Sequence, residues 1–340
     1  MRFGVHGRLG VVTLDRPRAL NALTHAMVRA IAAALDEWEG DDGVSTVLLT
    51  GAGERGFCAG GDVVAVHRDA VSGGTGALDF WRDEYTLNAR IARYPKPIVA
   101  LMTGLTLGGG VGLAGHARHR VVTDSSSVGM PETTIGFVPD VGGTWLLARA
   151  PGETGTLLAL TAAPTDAAGA VYTGLADTYV PETRLDEFRE ALTVEAPEHA
   201  LARFAEPAPV SPLAEDRAWI DACFAHDDVP SILAGLREAG QGELADRIAA
   251  KSPSALWLTL ASLRRARMLP SLEAALVQEF RVSTRCLGMP DLAEGIRAQL
   301  IDKDRSPRWI PSTFDALDVS ALERFFDPLP EDLVLPAAAA

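Results

Sequence analysis

The chain is poor in what several large protein classes require. It has three cysteines in 340 residues, Cys58, Cys223 and Cys286. So sparse and odd a set, with no CxxC or CxxH spacing, excludes a disulfide framework and the common zinc motifs. It reads as reduced thiols, for which a cytoplasmic location is expected. The seven histidines are scattered and none forms an HxxxH pair. Cations are outnumbered, 31 Lys and Arg against 45 Asp and Glu, for a formal net charge of −14. That balance argues against nucleic acid and anionic membranes as partners, since both select for basic surface. No GxxxxGK[ST] phosphate loop occurs, and Gly108–Gly110 does not satisfy a dinucleotide-binding GxGxxG. Repeats of 20–50 residues are absent. The first residues lack the apolar core of a secretory signal. The one long uncharged stretch, Pro97 to Gly115, holds six glycines and two threonines. It is expected to be a buried strand running into a glycine turn and a helix start, not a membrane span.

What is present is a chain with 47% hydrophobic residues, enough for a substantial core. Its first half alternates two periodicities. Val11–Leu14, Ser45–Thr50, Ile98–Met102 and His119–Thr123 read as strands. Thr24 is a suitable cap for a helix over His25–Glu39, in which Met27, Ile31, Leu35 and Trp38 recur at helical spacing. Trp81–Tyr94 reads as a helix stopped by Pro95 and Pro97. Such β-α repetition predicts a mostly parallel sheet with crossover helices. The composition changes near residue 205. Glu206–Pro212 is proline-rich and reads as a linker, and beyond it the pattern is helical. Ser252-Pro253 opens one helix. Ser271–Leu287 reads as another, with Leu272, Ala275, Leu276, Glu279 and Phe280 near one stripe. The expected organisation is a catalytic core over 1–205, a helical region over 206–330 and a disordered tail over 331–340.

Three segments carry chemistry. GAGERGFCAGGD (Gly51–Asp62) and GLTLGGGVGL (Gly104–Leu113) each follow a strand and enter a helix. The N–H groups at such corners can point into a cleft, although each alone is also an ordinary glycine turn. Together they suit a two-donor oxyanion hole, each donor contributing ~3 kcal/mol to a transition state. The third segment, Met130 to Gly143, places Glu132 and Asp140 among apolar neighbours that raise carboxylate pKa values. The competing readings are that Asp140 caps the following helix and that Glu132 is solvated. Glu84 lies on an amphipathic helix, where surface charge is the ordinary role. His116 and His119 suggest surface or capping roles. Arg16 and Arg18 flank a turn that can hold a phosphate or be a solvated loop. Lys303, Arg305 and Arg308 form a second basic cluster, with Asp302 and Asp304 at hand as partners.

In this order, RPRALNAL, GAGERGFCAGGD, GLTLGGGVGLAG and PETTIGFVPDVGG resemble the crotonase (enoyl-CoA hydratase/isomerase) superfamily. EYTLN, KSPSAL and LIDKDRSPRW are similar to its 3-hydroxyisobutyryl-CoA hydrolase subgroup and extend the likeness to about residue 312. The resemblance implies an α/β crotonase-like fold, a spiral core of repeated ββα units followed by a C-terminal helical region. It implies an acyl-CoA thioester substrate, no metal or other cofactor beyond that coenzyme A, and self-association as trimers or hexamers. By motif, the donors that hold the thioester oxygen fall on Gly61 and Gly109. Glu84, Gly109, Glu132 and Asp140 contact the substrate, and Arg18 lies near the CoA phosphates. Glu132 acts as nucleophile or base, with Asp140 assisting. Hydratases of the superfamily hold water between two glutamates, one at the position of Glu132 and one in GGGxE. Here that second place is Gly112, while Asp140 appears farther along. Losing one of two acid/base groups typically costs ~10²–10⁴ in rate. Hydrolysis of a short 3-hydroxyacyl-CoA is therefore expected, most specifically 3-hydroxyisobutyryl-CoA in valine degradation. The alternatives are an enoyl-CoA hydratase or isomerase and a non-catalytic or RNA-binding homologue.

Overall fold

A computed structural model of the chain describes residues 1–335. Its strands are β1 (Arg2–His6), β2 (Leu9–Leu14), β3 (Thr46–Gly51), β4 (Ile98–Leu101), β5 (Leu105–Leu107), β6 (His119–Val122), β7 (Ser127–Gly129) and β8 (Thr178–Tyr179). The main sheet runs in the order β1-β2-β3-β4-β6-β8. Only β1 and β2 pair antiparallel, and the other neighbours are parallel. β5 and β7 form a separate parallel pair. β4 and residues 47–49 of β3 are apolar runs, as suits a parallel sheet covered on both faces.

The architecture is a spiral of three successive units. In each, one strand joins the main sheet, the next joins the small sheet, and a helix or helical turn follows. β3 leads to Gly56–Cys58, which bridges to Gly104 and Thr106 of the next unit, and then to the helix Val63–Ser72. β4 and β5 lead to the helix Gly109–Ala114. β6 and β7 lead to a 3₁₀ turn at Glu132–Ile135. The corners that end the small-sheet strands, Gly60-Gly61, Gly108-Gly109 and Pro131-Glu132, therefore come side by side. The crossover geometry of the repeat is what assembles the site.

The expected strands and the Thr24-capped helix His25–Glu39 are present within a residue or two at most ends. The helix expected from Trp81 begins earlier, at Gly76, and ends at Arg93. Pro97–Gly115 divides into β4, β5 and a helix start. Among the described residues no helix is long and apolar enough to cross a membrane. β5 and β7 are three residues each, too short for a period-two pattern to announce.

The helices Pro253–Ala266 and Leu272–Cys286 are capped by Ser252 and Ser271, whose hydroxyls accept from Ala255 N (3.1 Å) and Ala274 N (3.3 Å). The short helix Pro290–Ile296 runs into a π-helical turn at Arg297–Ile301 that closes over the end of the repeats. Buried Asp291 fastens this closure by accepting from Ser252 Oγ (2.5 Å) and Ile310 N (2.7 Å). The hydrophobic cores run across residue 205: Ile31, Val47 and Ala100 share one cluster with Leu276, Phe280 and Leu333. The proline-rich segment starts as an extra pairing on the sheet edge, Glu206 N donating to Tyr179 O at 3.0 Å. Part of the expected tail is packed. Asp332 pairs with Arg281 (2.5 Å), Arg82 donates to the Glu331 and Asp332 carbonyls (3.1 Å each), and Leu333 is buried. The charge pairs and the apolar anchor hold that stretch against fraying. Residues 336–340 of the expected tail lie outside the described residues.

Candidate functional site

A cavity of about 250 Å³ opens where the three corners meet. Gly61, Gly109, Glu84, Glu132 and Asp140 all line it. A Cβ placed on Gly109 would lie 2.7 Å from Glu84 Oε1 and 3.2 Å from Gly61 N, and one on Gly108 would lie 2.6 Å from Glu132 Oε1. Only glycine lets these carboxylates and the facing backbone approach so closely. Gly109 is the first residue of its helix, so its N–H has no partner within the helix. Gly61 N likewise donates to no backbone carbonyl among the described residues. These two N–H groups thus belong to residues lining a cavity that also holds three carboxylates.

The carboxylates sit in a place that penalises charge. Glu84 is 2% exposed, Glu132 7% and Asp140 5%. Solvated roles for Glu84 and Glu132 are thereby excluded. Glu84 Oε1 and Glu132 Oε2 have no hydrogen-bond partner in the structure. Burial, then the Asp140 charge, pushes both groups well above the usual carboxylate range. Burial also pushes Asp140 up to about 7, opposed by the Tyr85 hydroxyl, which donates to Asp140 Oδ2 at 2.7 Å. Tyr85 shares a second hydrogen bond with Ser283 (3.0 Å). The cluster can therefore keep protonated and ionised carboxyls together near neutral pH, which is what combined acid and nucleophile or base chemistry needs.

Asp140 does not cap the helix that follows it. The helix Gly143–Leu147 takes no hydrogen bond from a cap side chain of its own segment. Glu279, from the C-terminal helix Leu272–Cys286, accepts instead from Gly142 N (2.6 Å), Thr144 N (2.9 Å) and Thr144 Oγ1 (2.5 Å). From the other side, His116 Nε2 donates to Val141 O at 2.8 Å. His116 is buried, and burial pushes it down to about 4, so it is the neutral donor and not the surface group expected. Between these anchors Val141 and Gly142 hold φ of +51° and +79°. A β-branched residue there is a genuine outlier and costs about 1–3 kcal/mol. The strain carries the Val141 side chain to Gly112, where a Cβ would lie 2.6 Å from Val141 Cβ and 3.1 Å from Asn88 Nδ2. The place of a GGGxE glutamate is thus already filled.

Apart from Thr134 and Gln299, the side chains of the rest of the cavity are apolar. Trp81 and Phe137 stack at 5.4 Å with planes 10° apart, and Leu292 and Leu300 reach in from the C-terminal region. Arg18 stays outside, exposed on the turn Pro17–Ala19, where its guanidinium has no partner among the described residues. Arg55 ties that turn by donating to Pro17 O (2.5 Å) and Arg18 O (3.3 Å). In the other basic cluster, Asp302 and Asp304 are claimed by Arg297 at 2.7 Å each, in place of Lys303, Arg305 and Arg308. Among the described residues no three His, Cys, Asp or Glu side chains are arranged to hold a metal ion. The sequence reading gave Tyr85 and Glu279 no role at the site and assigned His116 a surface or capping one. The one available signal was an acid, Glu279, inside an otherwise apolar helical stripe.

Known proteins agree with this geometry. The family model described as enoyl-CoA hydratase/isomerase matches residues 9–326. The zebrafish protein named 3-hydroxyisobutyryl-CoA hydrolase, mitochondrial, is 37% identical over 96% of this chain and 88% of its own length. The human protein of the same name is 35% identical over 95% and 87%. Their location overturns the cytoplasmic expectation: buried thiols distinguish reducing from oxidising surroundings but not one reducing compartment from another. Among solved structures, a carnitinyl-CoA dehydratase from Mycobacterium thermoresistibile is 51% identical, with a TM-score of 0.95 over 98% of both chains. An enoyl-CoA hydratase from Rhodobacter sphaeroides is 44% identical, with a TM-score of 0.92 over 98% of this chain and 99% of that one. The spiral of ββα units, the paired glycine corners and the match across nearly the whole chain agree: this protein belongs to the enoyl-CoA hydratase/isomerase (crotonase) family.

Proposed function

We propose that the protein hydrolyses 3-hydroxyisobutyryl-CoA to the free hydroxy acid and CoA, a step of valine breakdown. The observation that carries this reading is the strained Asp140–Gly142 loop. It brings a third carboxylate to the cavity and fills the Gly112 position with Val141. The two-glutamate arrangement for adding water across a double bond is thereby lost, while an acid remains next to the thioester.

The thioester oxygen accepts from Gly61 N–H and Gly109 N–H, an oxyanion hole worth ~3 kcal/mol per donor as charge develops. In the state of the coupled carboxyls that keeps the proton on Asp140, the ionised Glu132 oxygen attacks the carbonyl carbon. The C–S bond then breaks, and sulfur leaves with the proton held by Asp140. Water cleaves the resulting anhydride, releasing the hydroxy acid and restoring Glu132 and Asp140. In the variant mechanism Glu132 takes the proton from water, which attacks directly. Glu84 orients the substrate hydroxyl, which Asp140 holds in the alternative to its acid role, Arg18 serves the CoA phosphates, and the reaction balances without a metal or redox cofactor. The names of the two solved relatives favour a second reading, hydration or dehydration of a short acyl-CoA. Self-association as trimers or hexamers accompanies either reading, and sedimentation checks it.

Thiol release from a panel of acyl-CoAs, run beside crotonyl-CoA hydration, separates the two. Rapid CoA release from 3-hydroxyisobutyryl-CoA is expected. Fast hydration without thiol release would refute the proposal. In a single turnover in H₂¹⁸O, water attacking the Glu132 carbonyl of the anhydride labels the Glu132 carboxylate, and repeated turnovers without label count against that route.

A further inference from the structure

We infer that Glu279 is a positioning residue for Asp140, an inference that rests on the hydrolytic reading above. Glu279 lies outside the cavity. It is 1% exposed, and its oxygens accept three hydrogen bonds, all from the two residues Gly142 and Thr144. Those donors follow directly on Asp140 and the left-handed Val141–Gly142 pair. Backbone in that region returns to ordinary φ unless the surroundings hold it. Here one carboxylate supplies most of the hold, with His116 on Val141 O as the second clamp. The N–H groups at the start of Gly143–Leu147 lack intrahelical partners, and Glu279, by accepting from Gly142 N and Thr144 N, completes the helix end that the Asp140 side chain leaves uncapped.

This arrangement has two consequences at the cavity. Asp140 is free to accept from Tyr85 and face the substrate instead of folding back onto the helix end. Val141 is pressed against Gly112. The C-terminal helix bearing Glu279 also bears Ser283, which bonds the Tyr85 hydroxyl, so a single helix face fixes Asp140 both through its backbone and through its tyrosine. The helix Leu272–Cys286 thus positions Asp140 without itself lining the cavity.

The test is a double-mutant cycle on 3-hydroxyisobutyryl-CoA with Glu279→Gln and Asp140→Asn. The amide keeps the shape but turns a donor toward one of the loop N–H groups. The expected result is a fall in kcat of about 10- to 100-fold for Glu279→Gln, as setting an amide donor against a buried loop N–H implies. KM should stay within about twofold, and no further loss should appear in the double variant beyond Asp140→Asn alone. Losses that multiply, or an unchanged kcat, overturn the inference. Should Glu279→Gln fail to fold, Thr144→Val removes one of the three donors and enters the same cycle with the same expectation. A wild-type chain that releases no CoA refutes the hydrolytic reading instead. The positioning role is then decided by a crystal structure of Glu279→Gln. Asp140 beyond hydrogen-bond reach of Tyr85 is expected, and an unmoved loop with its 2.7 Å contact intact overturns it.

Discussion

Asp140 should cost this protein stability at the pH where it works, and Asp140→Asn measures the cost. The Asp140 carboxyl is buried and pushed from 3.8 up to about 7. Between about pH 4 and pH 7 the folded chain therefore holds a proton that the unfolded chain has released, so stability falls as pH rises through this window. A span of about three pH units at ~1.4 kcal/mol each gives about 4 kcal/mol lost by pH 8, an upper bound because the neighbouring acids share the titration. Asparagine carries no charge at any pH in this range and can still accept from the Tyr85 hydroxyl. Urea unfolding at pH 5 and pH 8 is the assay. At pH 5 the variant should already be ahead by about 1.5 kcal/mol, because the unfolded wild-type chain has released the Asp140 proton that the folded chain keeps. At pH 8 the variant should be the more stable by about 2–4 kcal/mol. His116, pushed down to about 4, makes stability rise with pH up to its ordinary value, but it does so in both chains and cancels in the difference. Parallel pH dependences, or a variant less stable at pH 8, would refute the claim that Asp140 is desolvated in the fold. A stabilised but catalytically weakened enzyme is the expected signature of an active-site acid.

Two further substitutions probe the glycine corners. Gly109→Ala puts a methyl 2.7 Å from Glu84 Oε1 and 3.2 Å from Gly61 N. It should lower kcat for thiol release by about 10²–10³, the usual cost of a disrupted oxyanion donor, with a smaller change in melting temperature. Gly112→Glu, which restores the GGGxE spelling, should not create a hydratase. Its Cβ meets Val141 at 2.6 Å, so lost folding stability of about 3 kcal/mol or more is expected from overpacking and a further buried acid. A soluble variant that hydrates crotonyl-CoA would show that the Asp140–Gly142 loop yields more easily than its clamps imply.

Much of the fold was legible because it rests on local signals. Thr24 and Ser252 announce helix starts through hydroxyls that satisfy orphan N–H groups, and the apolar run of β3 announces a strand covered on both faces. The short strands β5 and β7 carried no such signal, since three residues hold too few alternations to read. Their pairing nevertheless builds the corners of the site. At the site, the glycine corners and Glu132 were visible in the motifs, whereas Arg18 was placed by likeness alone and stands apart from the cavity.

The sequence by itself determined which groups are available: two glycine corners after strands, three acids in motif positions and a glycine where a second glutamate would stand. Only the tertiary structure decided how those groups behave. Glu279 and Gly142 are 137 residues apart, so no local pattern pairs them. Whether Glu84 and Glu132 are surface charges or desolvated acids depends on the walls the C-terminal helices bring over them, because burial belongs to the packed ensemble and not to any segment. The strain at Val141 exists only because two distant side chains, His116 and Glu279, clamp one loop from opposite sides. That clamp holds Asp140 at the cavity and fills the space beside Gly112, and the proposed preference for cleaving a thioester over hydrating its acyl chain rests on it.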